Sequence, residues 1–185
     1  MESRYKQDCM YHPDEVYMTN KVIAERVLMG SEGTRLVRDF KNIRCKAIID
    51  GVEYHFLSKL EYRWAVYLQF QKETNLIVDW AYEDTNFEFT GEVRGPMTWL
   101  IDFEVITNDG TTEYMECKGY PEGKDISKAR RFKERWPDEK LYFIFAQKPA
   151  KKHFHKIRNL QKYVDRIIEA DKIFRQIKGL VHFEY

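Results

Sequence analysis

Asp102, Glu116 and Lys118 are the residues whose types and spacing could do chemistry together. They stand in two short apolar stretches, Leu100-Ile101-Asp102-Phe103-Glu104 and Tyr114-Met115-Glu116-Cys117-Lys118-Gly119. Residues two apart in a strand share a face. Glu116 and Lys118 therefore point one way, while Met115 and Cys117 point into an apolar layer. Asp102 reaches the same face as Glu116 if Ile101 and Phe103 pack inward. Two carboxylates and one ammonium then converge. Carboxylates so placed repel one another and call for a cation. Hard oxygen ligands with room for water and phosphate suit Mg²⁺ or Mn²⁺ rather than Zn²⁺. A Glu-x-Lys alone is common on half-exposed strands. An Asp inside an apolar strand, then a turn, then Glu-x-Lys-Gly, then a basic helix is a more specific context.

The elements that must position these residues follow from turn and period signals. Asp50-Gly51 joins Lys46–Ile49 to Val52–Phe56 as a hairpin, because a type I′ turn needs positive φ. Asn108-Asp109-Gly110 joins Trp99–Thr107 to Thr112–Lys118 in the same way. Leu60, Trp64, Tyr67 and Leu68 define an amphipathic helix from Ser58 to about Gln71. Strands are expected near Ile77–Trp80, Asn86–Phe89 and Leu141–Phe145, with a helix over Asp125–Trp136. One long helix is expected over Phe154–Lys178, with Gly179 as its C-cap and Leu180–Tyr185 as a final strand. Residues 1–45 read as a helical N-terminal extension, with His12-Pro13-Asp14-Glu15 as a helix start and Gly30 as a stop. The chain thus divides into that extension, a mixed α/β core over 46–147, and a basic segment with a C-terminal amphipathic helix over 148–185. Trp64, Trp80 and Trp99 are expected in or beside the core.

Charge is divided along the chain. Lys118–Arg158 holds 13 Lys+Arg against 5 Asp+Glu, a net of +8, which leaves −7 elsewhere and +1 overall. Lys124, Lys128, Arg131 and Arg135 recur at steps of four, three and four, which puts them on one helix face. Lys148, Lys151, Lys152 and Lys156 extend that charge, and Arg130 and Lys133 flank it. Beside a carboxylate site, such a face reads as a phosphate-contacting surface. Ile126, Ala129, Phe132 and Trp136 form the opposite, sheet-facing side of the helix.

A chain of 185 residues with 43% hydrophobic and 15% aromatic residues can bury a real core. No uncharged apolar run approaches the ~18 residues of a membrane span, so no membrane partner is expected. The N-terminus has no apolar leader pattern. Three scattered cysteines, Cys9, Cys45 and Cys117, fit a reducing, cytoplasmic compartment. Cys9-x-x-His12 has the spacing of half a zinc site and no second half. His153-x-His155 reads as solvated or phosphate-facing. No Gly-rich phosphate loop is present.

The order Asp50-Gly51, Phe56-Leu57-Ser58-Lys59-Leu60-Glu61, Asp102-Phe103, Glu116-Cys117-Lys118-Gly119, Lys128 and Trp136-Pro137 resembles the PD-(D/E)XK nuclease superfamily. The resemblance spans about Asp50 to Phe145 and is nearest to small phage endonucleases of the junction-resolving endonuclease I type. It implies a restriction-endonuclease-like core, a central mixed sheet flanked by helices. It also implies that Glu61, Asp102, Glu116 and the backbone carbonyl of Cys117 hold Mg²⁺ or Mn²⁺. Lys118 would orient the attacking water or answer charge developing on the phosphate. Ile101 stands where the superfamily has its naming proline. Ser58-Lys59-Leu60-Glu61 is also a capping box, so Glu61 has a competing structural role.

The activity implied is hydrolysis of DNA phosphodiester bonds, with branched or junction DNA as substrate, in a bacterial or phage-infected cell. Cutting two symmetric strands would call for a homodimer. Other readings are the endonuclease subunit of a heteromeric transposase with protein partners, a restriction-type or mismatch nuclease, and a non-catalytic DNA-binding scaffold.

Overall fold

The computed structural model describes residues 44–91 and 94–181. Of the N-terminal extension expected over 1–45, all but Arg44 and Cys45 lies outside the described residues, Cys9 and His12 included, as does the end of the proposed final strand; Cys45 already belongs to the first strand.

The first hairpin joins β1 (Cys45–Ile49) to β2 (Val52–Phe56), in register from Cys45↔Phe56 to Ile49↔Val52. Its turn places Asp50 at φ 50° and Gly51 at φ 76°, the left-handed pair that makes Asp-Gly a hairpin signal. Helix α1 (Lys59–Glu73) starts at Ser58, whose backbone is extended and whose hydroxyl accepts from the Glu61 amide at 3.2 Å. Next come β3 (Ile77–Tyr82), β4 (Asn86–Glu88), β5 (Thr98–Leu100), β6 (Phe103–Thr107) and β7 (Thr112–Lys118). Helix α2 (Gly123–Arg135) leads to β8 (Lys140–Phe145), α3 (Phe154–Leu160), β9 (Arg166–Glu169) and α4 (Ala170–Gln176).

The central sheet is mixed, in the order β3-β6-β7-β8-β9. β3, β6 and β7 are antiparallel neighbours, while β7, β8 and β9 run parallel. Each face carries its own core. On one face Phe103, Val105, Met115, Cys117, Tyr142 and Ile144 pack under α1, the β1–β2 hairpin and α4. On the other, Leu141, Phe143 and Phe145 pack under α2, α3 and the β4–β5 ribbon, with Trp99, Phe132 and Leu160 at the centre. The result is an α/β fold of three layers. Trp64, Trp80 and Trp99 are all buried, as expected. Among the described residues no helix is long and apolar enough to cross a membrane.

The structure revises three expectations. The stretch Trp99–Thr107 is two strands. β5 pairs with β4 in a separate ribbon, while β6 pairs with β3 and β7. The chain changes partners at Ile101 and Asp102: the Ile101 amide donates to the Thr85 carbonyl at 3.1 Å, and the Glu83 amide donates to the Asp102 carbonyl at 3.0 Å. Ile101 and Phe103 are both fully buried, yet in opposite layers. The C-terminal helix is likewise two short helices with β9 between them. The Asp165 amide donates to the Leu141 carbonyl and its carboxylate accepts from the Leu141 amide, both at 2.9 Å, which draws Arg166–Glu169 alongside β8. Residues beyond 147 therefore complete the central sheet rather than append to it. At the C-terminal end, Lys178 and Val181 form a single bridge, with Gly179 at φ 90°.

Helix α1 is also more enclosed than an amphipathic pattern requires. Glu61, Arg63, Gln69 and Gln71 are buried along with its apolar residues. The Gln69 side chain accepts from the Trp80 indole at 3.0 Å, and the Arg63 guanidinium lies 4.2 Å from the centre of the Phe174 ring.

Candidate active site

β7 alternates as its sequence predicts. Met115 and Cys117 enter the core beneath α1. Glu116 and Lys118 turn to the opposite layer. There the Lys118 ammonium lies 2.5 Å from Glu116 Oε1, and the Trp99 indole N–H donates to Glu116 Oε2 at 2.9 Å. Glu116 is 2% exposed. A buried carboxylate needs such partners, since stripping its water costs several kcal/mol unless charge and hydrogen bonds replace it. Burial works to lower the Lys118 pKa, but the charges of Glu116 and Asp102 outweigh it and raise the pKa, so the ammonium is held protonated.

Asp102 reaches this pair through the break between β5 and β6. Because the chain has left the ladder, the amide of Cys117 has no strand carbonyl opposite it, and Asp102 Oδ2 accepts its hydrogen at 2.7 Å. The aspartate therefore sits on the peptide between Glu116 and Lys118. Burial raises its pKa well above the ordinary carboxylate value, the charges of Glu116 and Glu61 add to this, and Lys118 and the Cys117 amide oppose it. Two carboxylates are thus held close by the fold with one ammonium between them. The Cys117 thiol is buried and its pKa is raised first by that burial, which suits a packing role rather than a nucleophile.

Glu61 approaches the end of β7 from the α1 layer. Its Oε1 accepts from the Ser58 hydroxyl at 2.7 Å, and its Oε2 accepts from the Leu57 amide and the Tyr82 hydroxyl, both at 2.8 Å. The Ser58 hydroxyl caps the helix, while the carboxylate reaches back to the Leu57 amide, one residue before the Ser58 amide that a capping box would use. Glu61 also borders a pocket of about 310 Å³ that Cys117, Lys118, Gly119, Tyr120, Lys124 and Lys128 line. A second hollow, of about 360 Å³, lies between the β1–β2 turn, α1 and Leu180–Val181, away from the carboxylates.

Among the described residues, no three His, Cys, Asp or Glu side chains are already gathered to hold a metal ion. The donor chemistry nonetheless fits a hard divalent cation. Asp102 Oδ1 accepts no hydrogen bond among the described residues, and the repulsion between Asp102 and Glu116 is the kind a cation relieves.

The basic residues separate into different roles. Lys128, one helical turn past Lys124, feels the charges of Glu116 and Asp102. It lines the pocket, its ammonium lies 5.4 Å from the Trp99 ring centre, and burial lowers its pKa against the pull of Glu116. Lys124 stands at the pocket rim and pairs with Glu122 at 2.9 Å. Arg131 does not face solvent: it is 4% exposed, and its guanidinium donates to the carbonyls of Pro96 and Arg94. It thereby pins the turn at Gly95, where φ is 90° and an added Cβ would meet the guanidinium at 3.1 Å. Arg135 likewise donates to the carbonyls of Thr90 and Glu88, at 2.5 and 3.3 Å. Both arginines lie over Phe89. They fasten the β4–β5 ribbon to α2, which corrects the reading of the buried Arg131 as a phosphate contact, while Arg135 stays half-exposed. Lys148 lies over the Phe154 ring, and Lys151 and Lys152 are exposed on a short 3₁₀ turn.

Two residues that serve the site escaped the sequence reading. Trp99, expected in or beside the core, also serves the site: a buried indole N–H needs an acceptor, and that acceptor is Glu116. Tyr82 carried no signal, because its role depends on α1 and β3 meeting. Compared with known proteins, the chain matches no family model, no curated protein and no solved structure.

Proposed function

We propose that this protein is a metal-dependent endodeoxyribonuclease, acting on branched or junction DNA in the cytoplasm of a bacterial or phage-infected cell. The observation that carries the reading is the buried Glu116–Lys118 pair with Asp102 seated on the amide between them, beside a pocket lined by Lys118, Lys124 and Lys128.

Asp102 and Glu116 would hold Mg²⁺ or Mn²⁺, with the Cys117 carbonyl beside them. Glu61 would join through Oε1, which among the described residues accepts from Ser58 alone, its Oε2 being held by Leu57 and Tyr82. When bound, the ion supplies Lewis-acid polarisation of the phosphate and a more acidic water. Lys118 is the residue placed to answer charge developing on the phosphate, because its own charge is secured by two carboxylates. Lys128, partly desolvated against Trp99, would bind a phosphate oxygen at less cost than a fully hydrated lysine. Paired cuts on symmetric strands would require two copies of the chain.

The test is cleavage of plasmid, linear duplex and four-way junction DNA in Mg²⁺, Mn²⁺ or EDTA. Wild type is expected to cut with either metal and to favour the junction. Glu116→Ala and Lys118→Ala are expected to lose about 10²–10³-fold in rate. Cutting only with added partner proteins would select the transposition reading. Binding without cleavage in any metal, or variants that cut as wild type does, would sink the nuclease reading and leave a DNA-binding scaffold.

A further inference from the structure

Tyr120 stands at the rim of the pocket, directly after the Glu116–Lys118 strand, and 52% of it is exposed. Its ring is stacked on His153, with centroids 5.4 Å apart and planes 19° from parallel. His153 belongs to the 3₁₀ turn Lys151–His153, so a residue from beyond β8 braces the aromatic ring beside β7. A large aromatic held in solvent by a second ring gains little for the core.

The surroundings are cationic. Residues 148–158 contain Lys148, Lys151, Lys152, Lys156 and Arg158 and no acid. Lys151 and Lys152 are exposed immediately before His153. The rim acid Glu122 pairs with Lys124 at 2.9 Å and accepts from the Tyr120 hydroxyl, which fixes the edge of the ring as His153 fixes one face. Across the same pocket Leu57 is 51% exposed and offers an apolar edge. A flat, braced ring among lysines matches the recognition of unpaired nucleotides, in which an aromatic stacks a base and cations track the backbone. A fully paired duplex keeps its bases inside the stack and cannot use such a ring.

We propose that Tyr120, braced by His153, is a stacking platform for an unpaired nucleobase beside the site. On the nuclease reading, this makes DNA with unpaired nucleotides next to the scissile phosphate the substrate class.

Binding can test this without cleavage. The full chain in EDTA is titrated against fluorescein-labelled dT20 and a 20-base-pair duplex, read by fluorescence anisotropy. Wild type is expected to prefer the single strand. Tyr120→Ala should weaken single-strand binding about ten-fold and leave duplex binding unchanged, whereas Tyr120→Trp should retain the preference. Lys151→Ala with Lys152→Ala should weaken both ligands. An oligonucleotide carrying 2-aminopurine gives a direct readout: its fluorescence should be quenched by wild type and not by Tyr120→Leu. Equal binding of the single strand by wild type and Tyr120→Ala, or undiminished quenching by Tyr120→Leu, would overturn the platform. So would parallel loss on both ligands, or a wild type that binds no single strand. Because no metal is present, these outcomes stand apart from the cleavage result. A protein that stacks bases but never cuts would keep the platform and lose the nuclease reading.

Discussion

Strand β7 carries two buried glutamates three residues apart, and its two ends treat them differently. Glu113, near the start, points into the α1 layer beside Tyr142 and Arg166; Glu116, near the end, points into the α2 layer. Glu113 is 5% exposed and its Oε1 accepts from the Tyr142 hydroxyl at 2.9 Å, while Oε2 is buried with no hydrogen-bond partner. Burial raises its pKa to about 7, although Tyr142 and Arg166 pull the other way. Glu116 is buried more deeply, yet it has an ammonium at 2.5 Å and an indole N–H at 2.9 Å. The same residue type on the same strand is left half-satisfied at one end and fully partnered at the other. Burial alone therefore does not mark a site. Partnered charge, a second carboxylate on the next amide and an adjoining pocket mark the Glu116 end, and the Glu113 end has none of these among the described residues.

The contrast is broken most severely by removing Lys118. Lys118→Ala leaves Glu116 buried against Asp102 with no ammonium. Removing one partner of a buried pair costs about 3–5 kcal/mol, and the 28% exposure of the lysine side chain places this case near the lower end. Urea unfolding in EDTA at pH 8 checks it. Adding Glu116→Gln to Lys118→Ala should recover most of the loss, because the uncompensated charge goes with it. A single variant costing under about 1 kcal/mol would mean that Glu116 does not depend on its partner, and the two ends of β7 would be alike.

The alternation of β7 and the Asp50-Gly51 turn were legible in the sequence because each is a local property: period two for one, positive φ for the other. So was the convergence of Glu116 and Lys118. The position of Asp102 was legible only in part. Its reach toward Glu116 comes from a change of strand partner at Ile101, and that depends on Thr85 and Glu83, which lie nearly twenty residues earlier. Arg131 was misread for a related reason. A basic stripe at helical spacing looks the same whether its guanidinium meets water or the carbonyls of a turn 35 residues away. Arg166-Ile167-Ile168-Glu169 fits a helical pattern as well as a strand, and the Asp165–Leu141 pairing decided it. Glu61 shows the limit of motif reading, since capping and the Tyr82 contact occupy the carboxylate that the resemblance assigns to metal.

Glu113 sharpens the contrast through pH. Its folded pKa of about 7 lies above the ordinary glutamate value of 4.5, so the native state holds a proton that the unfolded chain has already lost. Stability from this group is complete below about pH 4.5 and is lost as pH rises through about 7. At about 1.4 kcal/mol per pKa unit, the loss is at most roughly 3 kcal/mol. Glu113→Gln should remove that slope, so the variant gains on wild type in thermal unfolding as pH goes from 5 to 8. Parallel pH profiles for the two proteins would refute a raised Glu113 pKa.

The smallest expected effect concerns the one group that offsets burial at Glu113 by hydrogen bonding. Tyr142→Phe removes the hydroxyl that donates to Oε1, leaving both carboxylate oxygens without that support. A lost buried hydrogen bond costs about 1 kcal/mol, and here the cost should grow with pH, because the donor favours the charged form. The Glu113 pKa should rise further, carrying the fall in stability past pH 7. The Glu116 end shares the strand but not this hydroxyl, so DNA cleavage by Tyr142→Phe should match wild type at 25 °C. If cleavage fell together with stability, the two ends of β7 would be coupled through the strand, and treating them as separate electrostatic environments would be wrong.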